Sequence, residues 1–124
     1  MNDTVELLKA LADETRLRIL RVLAKSEIHL CVCEIVDALD LPQYLVSHHL
    51  SILRHAGAVE DFRQGTWVMY AIQPEASPIL SAMLPALKES LSGEVIAEDD
   101  RRLTCRLARR MEGKCVVGMK CSKK

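Results

Sequence analysis

Apolar residues in the first half of the chain recur every three or four positions, the period of a helix with one buried face. Val5, Leu8, Leu11 and Ala12 predict a helix over 2–12. Asp13 is placed to cap a second, about 14–25, whose stripe is Leu17, Ile19, Leu20 and Leu23. A short connection at 26–30 leaves room for a small strand at 28–30, and a third helix runs from near Cys31 to near Leu39 on Ile35, Val36 and Leu39. Asp40-Leu41-Pro42 breaks it. Pro42 suits the first position of a fourth helix, 43–56, which buries Leu45, Val46, Leu50, Leu53 and Ala56 and stops at Gly57. The period then switches to two. Across 58–72 Val59, Asp61, Trp67, Met69 and Ala71 alternate with Val68, Tyr70 and Ile72, and Gln64-Gly65 supplies the hairpin turn.

A short helix, a tight turn and a longer helix form a helix-turn-helix, and a hairpin directly after it makes a winged helix. The fold class is therefore mainly α with a small β-hairpin wing. The fourth helix exposes Gln43, Tyr44, Ser47, His48 and Ser51, all able to hydrogen-bond, and Arg63 beside the hairpin tip is suited to a phosphate or a minor groove. Ser77-Pro78 opens a fifth helix, 78–92, on Ile79, Met83, Leu87 and Leu91 with Leu80 and Leu84 alongside. That stripe is wider than one small domain covers, which points to a dimer interface, although Pro85 should kink or interrupt the helix. Residues 93–98 read as a linker, and Asp99 or Asp100 as the cap of a sixth helix, 100–112, carrying Leu103, Leu107 and Met111. The expected organisation is a DNA-binding and dimerisation domain over 1–92 and a basic, cysteine-containing extension over 93–124.

Composition sharpens this picture in two ways. No apolar run reaches the roughly 20 residues a membrane helix needs, and the acidic, amphipathic start has no signal-peptide character, so a cytoplasmic protein without a membrane partner is expected. Five cysteines in that compartment are thiols or metal ligands before they are disulfides. The net charge of zero hides an asymmetry: residues 1–100 carry 8 Lys/Arg and 16 Asp/Glu, and 101–124 carry 9 and 1. The basic end either lies on the acidic body or also touches phosphate.

Four segments in order resemble the ArsR/SmtB repressors, over about residues 5–92. Leu11-Ala12-Asp13-Glu14-Thr15-Arg16-Leu17-Arg18-Ile19-Leu20 is similar to that family's opening, and Leu30-Cys31-Val32-Cys33-Glu34-Ile35 to its metal-box segment. Gln43-Tyr44-Leu45-Val46-Ser47-His48-His49-Leu50 resembles its recognition helix; Leu53-Arg54-His55-Ala56-Gly57 and the segment from Arg63-Gln64-Gly65 to Tyr70 fit the helix end and wing. The resemblance implies a homodimer that binds double-stranded operator DNA near its own promoter and leaves when an inducer binds. It implies Gln43, Ser47 and His48 as base-edge readers, and Tyr44, His49 and Arg54 as backbone contacts, with His49 equally suited to packing. Arg63 and Gln64 would be the wing's contribution.

Cys31 and Cys33 are the first sensor candidates, since soft thiolates select thiophilic ions. Two residues apart on a regular helix they point about 200° apart, so one ion takes both only if the first turn is irregular or distorts. Arsenic sensors of the best-known pattern have a third cysteine three residues on, where this chain has Val36. Cys105, Cys115 or Cys121, from the same or the other subunit, would then complete the site, or the three would form a site of their own. The inducer implied is trivalent arsenic or antimony; cadmium and lead, which suit four thiolates, are the alternatives. The family's Asp/His/Glu zinc site on the fifth helix has no counterpart, because 75–92 contain neither His nor Asp. A thiol-based redox sensor and a constitutive DNA binder share the fold, whereas a thiol enzyme would need a C-x-x-C pair or a phosphate-cradling loop, and neither is present.

Overall fold

The computed structural model describes residues 2–73, 75 and 77–110. Its elements are α1 (Asn2–Leu11), α2 (Glu14–Ser26), β1 (Leu30–Cys31), α3 (Val32–Leu39), α4 (Gln43–His55), β2 (Val59–Gln64), β3 (Trp67–Ile72), α5 (Pro78–Glu89) and α6 (Glu94–Leu107). No described helix is long and apolar enough to cross a membrane.

Helix α2 is the axis of the core. Asp13 caps it by accepting from the Arg16 amide at 3.1 Å, and Ile19, Leu20, Val22 and Leu23 are buried. Around it pack Ile35, Ala38 and Leu39 of α3, Val46, Leu50 and Leu53 of α4, Leu80 and Leu87 of α5, and Leu103 of α6. In α1 the buried face is Leu7, Ala10 and Leu11. The expected stripe is therefore rotated: Val5 and Leu8 are 40% and 44% exposed, and Ala12 lies outside the helix.

The turn between α3 and α4 is short because Asp40 takes the left-handed conformation, φ 56°, and returns its N–H to the Val36 carbonyl at 2.8 Å. Asp tolerates this region better than most residues because its short polar side chain bonds locally. Pro42 is the cap of α4, with ψ 148°, and not its first helical residue as expected. Gly57, at φ 82°, turns the chain out of α4 into the wing.

The sheet has three strands, not two. β1 pairs antiparallel with β3, Leu30 opposite Tyr70 and Cys31 opposite Met69, and β3 pairs with β2 from Val59–Ile72 to Gln64–Trp67. The strand foreseen at 28–30 is displaced toward Cys31. The hairpin tip is Gly65-Thr66, with Gly65 at φ 64° and Gln64 still in its strand.

Helix α5 is not interrupted at Pro85. Pro85 and Ser81, whose carbonyl loses its donor, lie on the exposed side, where the group is open to solvent. The largest departure is α6. It starts at Glu94, so most of the expected linker is helix, and Asp99 and Asp100 are interior residues, not caps. Asp99 is buried and receives Arg18 at 2.8 Å; Asp100 receives Arg21 at 2.5 Å.

Candidate functional site

The two thiols of the C-V-C segment converge. Cys31 is in extended backbone, φ −81° and ψ 165°, at the end of β1, where it serves as the cap of α3. Cys33 is in the first helical turn. This change of backbone between the two residues removes the angular problem of a regular helix, and their sulfurs stand 2.7 Å apart. Both are buried, Cys31 at 1% and Cys33 at 8% exposure, against Met69 and Trp67 of the wing strand β3. The Cys31 amide donates to Glu34 Oε1 at 3.0 Å, so the turn carrying the thiols is also pinned by a carboxylate.

That carboxylate leads to a set of residues the sequence reading missed. Arg102 and Arg106 of α6, with Arg110 just beyond it, recur every four positions and face α3. Arg102 donates to the Ala38 carbonyl at 2.9 Å. Arg106, with no exposed surface, places Nε 2.8 Å from Asp37 Oδ2 and donates from Nη2 to the Cys33 sulfur at 3.2 Å. Arg110 grips Glu34 with Nε and Nη2, each at 2.6 Å, and also donates to the His29 carbonyl at 2.7 Å. Glu34 and Asp37 are buried; charges so placed are tolerated only with partners. The signal was present as Arg spacing of four in one segment and acidic spacing of three in another, but nothing local says that the two meet.

The other cysteines divide. Cys105 is on the exposed side of α6 and is not brought to the pair. Cys115 and Cys121 lie outside the described residues. Among the described residues no three His, Cys, Asp or Glu side chains form a metal-holding group. Two adjoining buried thiols suit a soft, thiophilic ion and offer nothing to magnesium or calcium, which need several oxygens.

The candidate nucleic-acid surface is the outer face of α4 with the wing. Gln43, Tyr44, Ser47 and His48 are exposed there, Tyr44 by 77%, while Ser51 is half-buried. His49 turns inward: its Nδ1 is 3.0 Å from Arg16 Nη1 and 3.9 Å from Asp13 Oδ2. Burial pushes the His49 imidazole below its ordinary value, Arg16 and His48 add to this, and Asp13 opposes it. Arg16 also donates to the Ala10 carbonyl, so His49 ties α4 to the corner between α1 and α2. Arg54 reaches toward Asp61 of β2 at 4.0 Å. Arg63 is exposed near the end of β2, and Gln64 beside it is half-buried.

The family model described as "Bacterial regulatory protein, arsR family" matches residues 13–61. Over 95 residues, 77% of this chain and 73% of the relative, the sequence is 42% identical to the arsenic resistance transcriptional regulator ArsR1 of Pseudomonas putida. Reduced HlyU from Vibrio cholerae has a similar structure, with TM-score 0.61 and 36% identity over 69% of this chain and 85% of that one. So has the homodimeric winged helix-turn-helix DNA-binding domain of Mb0332 from Mycobacterium bovis, a possible ArsR-family transcriptional regulator, with TM-score 0.59 and 29% identity over 69% of this chain and 75% of that one.

Proposed function

Since the chain belongs to the arsR family of bacterial regulatory proteins, a family of winged-helix transcriptional repressors and not of enzymes, we propose that it binds operator DNA as a homodimer and releases it when trivalent arsenic or antimony takes the Cys31 and Cys33 thiols. The observation that carries this is the 2.7 Å approach of the two sulfurs at the head of α3. A ligand bonded to both spans the junction between β1 and α3. α3 is only eight residues long and passes through a three-residue turn into α4. Rearrangement at its first turn is therefore delivered to the helix that reads DNA.

In this reading Gln43, Ser47 and His48 face base edges and Tyr44 contacts the backbone. Arg54, Arg63 and Gln64 contact the backbone, and His49 positions α4 from behind. Two α4 helices of a dimer would enter major grooves one turn, about 34 Å, apart. Val5 and Leu8 of α1 and Ile79 of α5, each 39–44% exposed, supply apolar surface for the pairing of residues 1–92. Cys105, Cys115 and Cys121 are the thiols available to raise the coordination number, from this chain or its partner.

The test is release of labelled operator DNA, followed by fluorescence anisotropy while arsenite, antimonite, cadmium, lead or zinc is added to the reduced protein. Arsenite or antimonite should release the DNA, and Cys31→Ser and Cys33→Ser should each abolish release while leaving DNA affinity within about threefold. Release only by cadmium or lead would reassign the ion. Release that survives both serine variants would move the sensor to the remaining cysteines.

A further inference from the structure

A buried cation stands against one of the two thiols. Arg106 has no exposed surface, donates to the Cys33 sulfur at 3.2 Å and holds Asp37 at 2.8 Å. The neighbouring Glu34 carboxylate is taken by Arg110 at 2.6 Å. Whatever bonds to Cys33 therefore meets a fixed guanidinium in a site shielded from water, where charge interactions are several-fold stronger than in solution.

Building on the thiol-pair reading above, we infer that Arg106 is a specificity-determining residue, selecting the uncharged trivalent oxyacid of arsenic or antimony over divalent cations. A guanidinium carries five N–H donors and no lone pair, so it cannot ligate a cation, and it occupies ground that a further ligand would need. It can bond an oxygen. Arsenite arrives as uncharged As(OH)3. Two As–O bonds break as two As–S bonds to Cys31 and Cys33 form, the two thiol protons leave with the departing hydroxides as two waters, and no electron is transferred. The third As–OH remains, and its oxygen accepts from Arg106. A cadmium or lead ion bonded to the same two sulfurs keeps no such oxygen of its own and needs more anionic donors, which the guanidinium displaces.

The experiment measures arsenite and cadmium affinities of the full chain by competition calorimetry, with folding checked by circular dichroism. Arg106→Gln should lower the arsenite-to-cadmium affinity ratio by at least about tenfold, the worth of a hydrogen bond from a charged donor. Asp37→Asn, which relieves the guanidinium of its counter-charge, should move the ratio the other way and keeps the test decisive if Arg106→Gln does not fold. Monomethyl arsenic(III), whose third substituent is a methyl, should lose no affinity in Arg106→Gln. An unchanged ratio in both variants, or an equal loss of methylated and unmethylated ligand, would overturn the role of Arg106 while leaving the thiol pair standing. Binding by the parent chain that survives Cys31→Ser and Cys33→Ser would overturn the thiol-pair reading and this inference together.

Discussion

At the scale of single residues, His49 shows how α4 is held. The resemblance implies His48 as a base-edge reader and leaves His49 between a backbone contact and packing; His48 is exposed and His49 contacts Arg16 and Asp13, the packing role. Because burial, Arg16 and His48 together keep His49 below its ordinary value of 6.5, the folded chain binds fewer protons here than the unfolded chain. Its stability contribution is therefore complete above 6.5 and is lost as the pH falls from there through the lower folded value. Urea midpoints at about pH 8 and about pH 5.5 should differ, with the acid value lower, and His49→Gln should shrink that difference. A pH dependence untouched by His49→Gln would place the titrating group elsewhere.

At the scale of elements, what was legible depended on whether the cause was local. The boundaries of α2 came from Asp13, the break between α3 and α4 from Asp40-Leu41-Pro42, and the wing from its alternation and Gly65, all readable within a few residues. α6 was misplaced because its first turns, Glu94 to Asp100, group their apolar residues as Val95, Ile96 and Ala97 instead of spacing them three or four apart. Asp99 and Asp100 look like caps, but their partners, Arg18 and Arg21, are about eighty residues away in sequence. For the thiol pair the two cysteines and the condition for their convergence, an irregular first turn, were legible, but not its cause, the pairing of Cys31 with Met69 across the sheet. α6 is consequently a structural element of the body. Leu103, 4% exposed, packs in the main core, and Leu103→Ala should destabilise the chain by about 2–5 kcal/mol in urea unfolding, the usual range for a buried leucine. A change under about 0.5 kcal/mol would mean that α6 contributes no packing to the folded state.

At the scale of the whole molecule, the charge asymmetry resolves, for the described arginines, toward the first of its two readings. The basic segment 101–124 was expected either to lie on the acidic body or also to touch phosphate; of its described arginines, Arg102, Arg106 and Arg110 are directed at Asp99, Asp37 and Glu34, and Arg101 bonds Glu98. These arginines are engaged with carboxylates of the acidic body. Under the proposed DNA-binding reading, few cations of α4 and the wing face the operator, Arg54 and Arg63 foremost among the described residues, on an acidic body. Each phosphate contact adds about 0.9 to the slope of log affinity against log salt. Arg63→Ala, lost twice in a dimer, should reduce that slope by about 2 and weaken binding to all sequences alike. Arg101→Ala, on the exposed side of α6, should leave the slope as it was. If instead Arg101→Ala flattens the slope and Arg63→Ala does not, the sixth helix and not the wing is the part that meets the DNA backbone, and the dimer must approach its operator by a different face.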